Sequence, residues 1–262
     1  MSTTAAAAGA PATESPIALS ARGLNKHFGA VPAAQDLTVD VPRGEIWSLI
    51  GTNGAGKTTF VNIVTGYTKP DSGHIVFEGR DITRLSPRDI TRLGVRRSFQ
   101  IPQLCTELTV LENMLVSQSI NAENRPSFYR RARRAPDVEK AMALLERFKL
   151  DSYRDSLIGE LSGGVRKLLD IAMVLPGHPR VVLLDEPTSG VATEEKYPLM
   201  DLVMEALAAA AVTVLFVEHD MDIVTRYARR VLAFYDGRII ANDAPDEVLG
   251  DAQVQRYVTG TA

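Results

Sequence analysis

The sequence has 262 residues, of which 45% are hydrophobic, and its formal net charge is −3 at pH 7. This length allows a large buried α/β core, as one domain or as one domain with a lobe, and the acidic balance excludes a surface built as a whole to attract nucleic acid. The longest apolar run, residues 206–217, is too short to cross a bilayer, and the single cysteine, Cys105, excludes an internal disulfide. We therefore expect a protein of a reducing, cytosolic compartment.

The N-terminal part of the chain predicts an extension followed by two strands. Residues 1–16 have neither a basic segment nor a long apolar segment, so they predict a disordered extension and not a signal peptide. The segment from Ile17 to Val41 predicts two antiparallel strands of an edge sheet, with the turn at Gly29. Phe28, near that turn, has two interpretations: an exposed aromatic ring that stacks on adenine, or an ordinary core residue.

The stretch from Gly44 to Gly66 predicts a buried strand, a glycine-rich loop and a helix in direct succession, and residues 51–58 fit the phosphate-binding pattern G-x-x-x-x-G-K-[ST]. Glycines let the backbone N–H groups turn toward phosphate oxygens, while Lys57 adds a positive charge and the Thr58 hydroxyl is placed to ligate Mg²⁺. The predicted nucleotide-binding residues here are Gly51, Asn53, Gly54, Ala55, Gly56, Lys57, Thr58 and Thr59.

The middle of the chain predicts a short strand and two helices. Residues 94–100 form the strand, which ends at Gln100; this glutamine is either a surface residue or a ligand of Mg²⁺ or of the attacking water. Residues 109–119 and 137–148 have helical periodicity and predict a lobe separate from the sheet. The basic and aromatic segment 121–136 between them is either a solvated loop or a surface for lipid headgroups or an acidic partner.

Two further polar arrangements follow apolar segments. Ser162 and Gly164 open a helix. The start of this helix is either a second anion-binding arrangement or an ordinary N-cap. The apolar strand 181–186 ends in Asp185 and Glu186 and predicts a central parallel strand whose end reaches the phosphate loop. Asp185 would hold Mg²⁺ and Glu186 would polarise the attacking water. His219, after the next strand, either hydrogen-bonds the γ-phosphate or has no special role.

A hairpin over 231–242 and short helices over 246–257 complete the predicted elements. Together they predict the α/β class: a P-loop NTPase core with a mixed, mainly parallel sheet and an antiparallel edge sheet, plus a helical lobe. The domain would span residues 17–262, with the lobe at about 101–175.

The order of these motifs resembles the ATP-binding subunit of ABC transporters over nearly the whole chain after Ile17. The motifs are the phosphate loop at 51, Gln100, LSGG from 161, LLDEP from 183 and His219. The resemblance implies ATP and Mg²⁺ as cofactors and a helical ABC lobe inserted in a RecA-like core. It also implies two subunits that face head to tail, with Ser162, Gly163 and Gly164 of one capping the ATP held by the other.

Finer features resemble the ATPases of branched-chain amino acid importers: RRSFQIPQLCTELTVLENMLV from 96, EHDM from 218 and DAPDEVLGDAQVQRYV from 243. The resemblance implies an ATP-hydrolysing, energy-coupling subunit at the cytoplasmic face of the inner membrane, docked to permease subunits through residues 102–108. ATPases for urea, amide or aromatic-acid uptake share these features, as in part do those of lipopolysaccharide export. The solute therefore stays open, and the ATPase of a lipid or lipopolysaccharide exporter is the alternative function.

Two alternatives belong to other functional classes. A soluble ABC ATPase acting mechanically on DNA or ribosomes is disfavoured because the chain has one ATP domain and no basic domain. A nucleotide-binding module without hydrolysis is disfavoured because Glu186 is present. Val165 and Ala192 depart from the family pattern at positions that face the dimer seam. We therefore expect an active ATPase with an unequal second ATPase subunit, a homodimer being the alternative.

Overall fold

The computed structural model describes residues 17–98, 103–121 and 135–260. Predictions for residues 1–16, for Gln100 and for most of the basic segment 121–136 lie outside the described residues. Within the described part, no helix combines the length and apolarity needed to span a bilayer.

The strands alternate with helices along most of the chain. The strands are β1 (Ile17–Phe28), β2 (Val31–Pro42), β3 (Ile46–Gly51), β4 (Ser72–Phe77), β5 (Arg80–Asp81), β6 (Val95–Arg97), β7 (Val181–Asp185), β8 (Thr213–Val217), β9 (Arg230–Tyr235) and β10 (Arg238–Asp243). The helices are α1 (Lys57–Val64), α2 (Pro87–Leu93), α3 (Val110–Asn121), α4 (Ala135–Arg147), α5 (Gly163–Ala172), α6 (Thr193–Ala209), α7 (Met221–Tyr227), α8 (Pro245–Gly250) and α9 (Ala252–Val254), followed by a π-helical turn (Gln255–Thr259).

Two sheets organise these elements, as the sequence predicts. Four strands form an antiparallel sheet in the order β2-β1-β4-β5, and six form a sheet in the order β10-β9-β3-β8-β7-β6. In the second sheet the pairings from β9 through β6 are parallel, and only the β9–β10 hairpin is antiparallel. The prediction of a mixed, mainly parallel sheet with an antiparallel edge sheet is therefore confirmed.

The central strands β7 and β8 are buried at every position, which explains why they are almost continuously apolar. Successive side chains of a strand point to opposite faces. In β7, Val182 and Leu184 join a buried cluster with the helices α3 to α7, whereas Val181 and Leu183 join a second cluster with α1 and the antiparallel sheet. Because α3 and α4 share the first cluster with the sheet, their core is continuous with it; the boundaries of a separate lobe stay a prediction.

Two details differ from the expectations. Phe28 is 54% exposed, so its interpretation as a core residue is wrong. The helix that begins after Ser162 ends at Ala172, whereas the sequence predicts that it continues to Leu175, before the helix-breaking Pro176. Hydrogen bonds of the 3₁₀ type follow the helix, because the N–H groups of Val174 and Leu175 donate to carbonyls three residues back, at 3.1 and 3.2 Å.

The N-terminus of α6 lacks a side-chain cap. Its N-cap residue is Ala192, which is exposed and has the extended backbone of an N-cap, φ −59° and ψ 146°. Glu195 follows at the third helical position, which is the place of the glutamate in a capping box. The backbone is therefore arranged for a capping side chain that alanine cannot supply.

We predict that Ala192→Asp raises the free energy of unfolding by about 1 kcal/mol, because the carboxylate accepts a hydrogen bond from the first turn of α6. Denaturant unfolding followed by circular dichroism measures the change. Ala192→Asn is the neutral control, which caps without adding charge and should give a similar gain. A stability equal to that of the unsubstituted chain in both variants would contradict the account of this helix end.

Candidate functional site

Three neighbouring parallel strands end at one edge of the six-stranded sheet. These are β3, which ends at Gly51, β8, which ends at Val217, and β7, which ends at Asp185. The segments that follow them form an open crevice lined by Asn53, Gly54, Ala55, Gly56, Lys57, Thr58, Thr59, Glu186, Val217 and His219. The crevice thus brings together residues that the sequence places more than a hundred positions apart.

The glycine-rich loop between β3 and α1 packs closely against two other strands. A Cβ atom on Gly51 would lie 2.5 Å from the carbonyl oxygen of Phe234 in β9, and one on Gly56 would lie 2.6 Å from that of Ala33 in β2. Gly56 also has a φ of 106°, in the left-handed region that favours glycine. These contacts explain why the motif needs glycine at both positions.

Lys57 lies inside the loop that precedes it. Its Nζ donates to the carbonyl oxygens of Gly51, at 2.6 Å, and Thr52, at 3.0 Å. Burial lowers the pKa of Lys57, and the carboxylates of Glu186 and Asp185 oppose that shift. The first turn of α1 has no side-chain cap. An ammonium group and uncapped helix N–H groups together form a cradle for an anion such as phosphate.

Asp185 is tied to two other elements through an arginine. Its Oδ2 accepts a hydrogen bond from Arg97 Nη2, and Arg97 Nη1 donates to Asn62 Oδ1 at 2.6 Å. The side chains of Arg97 and Asp185 are about nine-tenths buried. This arginine of β6 therefore connects the end of β7 to α1, next to the phosphate loop.

Glu186 and His219 face each other across the crevice. Glu186 Oε1 lies 3.2 Å from His219 Nε2. Glu186 has a φ of 46°, which is uncommon for a residue with a side chain and turns the chain sharply after β7. Its N–H donates to the carbonyl of Val217 at 3.0 Å. A carboxylate and an imidazole at this distance can hydrogen-bond and hold each other in place.

Glu218 is a buried carboxylate that the sequence analysis did not single out. It is 3% exposed, and its Oε1 accepts hydrogen bonds from the N–H and the hydroxyl of Thr188, at 3.0 and 2.7 Å. Its Oε2 accepts from the N–H of His219 at 3.1 Å. Glu218 thus fixes the turn after Glu186. The sequence does contain a signal for Glu218: it directly follows an apolar strand. The position of Asp185 at the end of an apolar strand identified that residue in the same way.

The remaining predicted site residues lie elsewhere. Ser162 Oγ accepts from the N–H of Val165 at 3.3 Å, so its interpretation as an N-cap is confirmed. A Cβ atom on Gly163 would lie 3.3 Å from the carbonyl of Gly190, and one on Gly164 would lie 3.1 Å from Glu195 Oε2. This segment packs against the start of α6 and does not line the crevice. Phe28 does not line it either, and Gln100 lies outside the described residues.

The fold and the crevice define a P-loop ATPase of the ABC type. The chain belongs to the ABC transporter family, whose family model matches residues 34–189. Nucleotide is the ligand of this class of domain.

Particular relatives cover almost the whole chain. The chain is similar to the probable branched-chain amino acid transport ATP-binding protein LivG of Methanocaldococcus jannaschii, with 37% identity over 244 residues, 90% of this chain and 94% of the relative. It is 34% identical over 252 residues to the high-affinity branched-chain amino acid transport ATP-binding protein LivG of Escherichia coli K12, covering 93% and 98% of the two chains. A solved structure, the ADP conformation of MJ1267, an ATP-binding cassette of an ABC transporter, superposes with a TM-score of 0.83 at 35% identity, covering 92% of this chain and 97% of that one.

We predict that Gly56→Ala destabilises the nucleotide-free chain by about 3 kcal/mol, because the added Cβ meets a backbone oxygen in a left-handed conformation. Gly54→Ala is the matched control, since Gly54 also has a left-handed φ, 82°, but has open space around its Cβ position. It should cost about 1 kcal/mol. Denaturant unfolding of both variants makes the comparison, and equal losses would contradict the packing of the loop against β2.

Proposed function

We propose that this chain is the ATP-hydrolysing, energy-coupling subunit of an ABC importer for branched-chain amino acids or related small solutes. The observation that carries the proposal is the crevice in which Glu186 and His219 face the Lys57 loop, with 3.2 Å between Glu186 Oε1 and His219 Nε2. The printed functions of the two relatives described above support the transport of branched-chain amino acids.

The residues of the crevice fit Mg²⁺ as well as nucleotide. Mg²⁺ prefers oxygen ligands and is usually held by one or two carboxylates or hydroxyls together with substrate phosphates and water. Thr58 and Asp185 would supply the hydroxyl and the carboxylate, and Gln100 would add an amide oxygen. Among the described residues no cluster of three or more histidine, cysteine or acidic side chains is placed to hold a metal. When bound, Mg²⁺ neutralises the phosphate charge.

Lys57 and the loop bind and orient the phosphates in this proposal. The Lys57 ammonium exchanges its bonds to the carbonyls of Gly51 and Thr52 for phosphate oxygens, which carry more negative charge. The N–H groups of Gly54 and of residues 56–59, in the loop and the first turn of α1, would surround the same oxygens. Asn53 and Ala55 complete the loop that contacts the nucleotide, with Gly51 and Gly56 allowing its close approach to neighbouring strands.

Glu186 orients the attacking water and accepts its proton. Its carboxylate is held by His219 at 3.2 Å, so its direction toward the crevice is set before nucleotide binds. When ATP binds, the Nε2–H of His219 would donate to the γ-phosphate in place of Glu186, which brings the base and the phosphate into one geometry. The proton passes to Glu186 only during hydrolysis, so the Glu186 carboxylate acts on turnover and not on nucleotide binding.

A second ATPase subunit would complete the site. Ser162, Gly163 and Gly164 lie away from this chain's own crevice, which suits the capping of ATP in a facing subunit. Phe28, exposed at the end of β1, would stack on the adenine ring. The whole region 17–262 would act as one ABC domain, with the lobe at about 101–175 presenting residues 102–108 to permease subunits at the cytoplasmic face of the inner membrane. Val165 and Ala192 favour an unequal partner ATPase.

We predict that Glu186→Gln lowers ATP turnover by about 100-fold or more, because the amide cannot accept the proton of the attacking water. ATP affinity should stay within about twofold, since the amide keeps the shape of the side chain. Steady-state hydrolysis and binding of a fluorescent ATP analogue give the two quantities. Hydrolysis at the unmodified rate would show that another group is the base.

Lys57→Ala should weaken ATP binding by about 10- to 100-fold, because the loop loses a charge-assisted hydrogen bond to phosphate. Lys140→Ala removes an exposed lysine from α4 and serves as the matched control. Fluorescence titration with the same ATP analogue measures both variants. Retained affinity in Lys57→Ala would refute the assignment of the phosphate loop.

The transport proposal is tested in the protein's own host. Deletion of the gene should abolish ATP-dependent uptake of radiolabelled leucine, isoleucine or valine, and the chain should restore it whereas Glu186→Gln should not. Affinity purification from detergent-solubilised membranes should recover polytopic permeases and a second, different ATPase. If uptake of all related solutes is unchanged in the deletion strain and the purification recovers exporter subunits or ribosomes, the chain belongs to another functional class of ABC ATPase. An active assembly with two copies of this chain would contradict the unequal partner.

A further inference from the structure

Lys167 is a buried lysine that the nucleotide site described above does not use. It lies in the second turn of α5 and is 2% exposed, and its Nζ donates to the backbone carbonyl of Asp185 at 3.3 Å. An ammonium group loses its hydration on burial and is stable in the interior only where charges and hydrogen bonds compensate for that loss. The surroundings of Lys167 therefore show what this charge is paired with.

Acidic groups of α5 and at the ends of two strands contribute to this compensation. Burial lowers the pKa of Lys167, and four carboxylates act against that shift: Asp170, Asp185, Glu218 and Glu186. They belong to α5 itself, to the end of β7 and to the end of β8. Asp170 also accepts a hydrogen bond from the N–H of Gln103 at 3.2 Å. The Lys167 ammonium thus joins α5 to the backbone at the end of β7, close to these acidic groups.

The peptide unit between Asp185 and Glu186 is held at both of its polar groups. Its carbonyl accepts from Lys167 of α5, and its N–H donates to the carbonyl of Val217 of β8 at 3.0 Å. The C=O and N–H groups of a trans peptide point in opposite directions, so α5 and β8 hold this peptide from opposite sides. The Cα atom of Glu186 follows this peptide directly, and Glu186 has a left-handed φ of 46°.

We infer that Lys167 is a positioning residue for Glu186. It fixes the orientation of the peptide from which the Glu186 side chain projects, and it ties that peptide to α5. Because α5 begins directly after Ser162, the position of Glu186 depends on the position of the helix that carries the Ser162–Gly164 segment. The inference rests on the proposed function, in which Glu186 orients the attacking water.

The test compares turnover with binding in the full-length chain. Lys167→Met replaces the ammonium with an apolar group of similar length, and we expect kcat for ATP hydrolysis to fall by at least about tenfold. KM and the affinity for a fluorescent ATP analogue should stay within about twofold, since the phosphate loop is untouched. Lys140→Met, the same substitution at an exposed lysine, should change neither quantity. An unchanged kcat in Lys167→Met, or a loss that appears only in KM, would overturn the inference.

A double-mutant cycle separates positioning from a general loss of structure. If Lys167 acts through Glu186, Lys167→Met in a Glu186→Gln background should leave the residual rate unchanged within about twofold. A further fall of about tenfold in that background would overturn the inference. Full turnover in Glu186→Gln alone would instead refute the proposed function. Lost turnover in Glu186→Gln together with normal turnover in Lys167→Met would refute only the role of Lys167.

Two further variants keep the test decisive if Lys167→Met does not fold, as judged by thermal unfolding. Lys167→Arg keeps a cationic donor and should retain kcat within about threefold. Lys167→Gln is neutral, and its amide nitrogen is one bond closer to the backbone and falls short of the carbonyl, so kcat should fall by about tenfold. Equal kcat values in the arginine and glutamine variants would overturn the inference.

Discussion

The structure depends on the mutual compensation of charges at the ends of the central parallel strands. The strands β7 and β8 are apolar and buried, yet each ends in acidic residues with little exposure, Asp185 and Glu218. Their carboxylates would be unstable there without partners. Arg97 from β6 pairs with Asp185, and Thr188 donates two hydrogen bonds to Glu218. The crevice is thus arranged before nucleotide binds, which lowers the reorganisation required during catalysis.

The phosphate loop joins this charged edge to the second sheet. The N–H of Gly237 in the β9–β10 turn donates to the carbonyl of Ala55 at 3.0 Å, and the N–H of Gln35 in β2 donates to the carbonyl of Gly237 at 2.7 Å. The loop is therefore held by the antiparallel sheet on one side and the terminal hairpin on the other. A ligand bound to the loop is therefore connected to both sheets through backbone hydrogen bonds. These bonds do not depend on side-chain identity.

The sequence predicted the elements whose signals are local. The phosphate loop, the β1–β2 hairpin and the apolar strand before Asp185 each occupy a short stretch, so pattern alone locates them. Lys167 and Arg97 could not be assigned in this way. Lys167 looks like a solvent-facing residue of an amphipathic helix, and Arg97 meets Asp185 only because β6 and β7 pair in register, across 88 positions of sequence. The exposure of Phe28 was likewise undecided, because it depends on how far the hairpin extends beyond the core.

The most direct test of the account is a crystal structure of the Glu186→Gln chain with ATP and Mg²⁺. The account predicts that the phosphates lie on the loop from Asn53 to Thr59, that Lys57 Nζ has left the carbonyls of Gly51 and Thr52 for phosphate oxygens, and that residue 186 faces the γ-phosphate. ATP bound away from this loop, or Lys57 still bonded to both carbonyls beside a bound nucleotide, would contradict it.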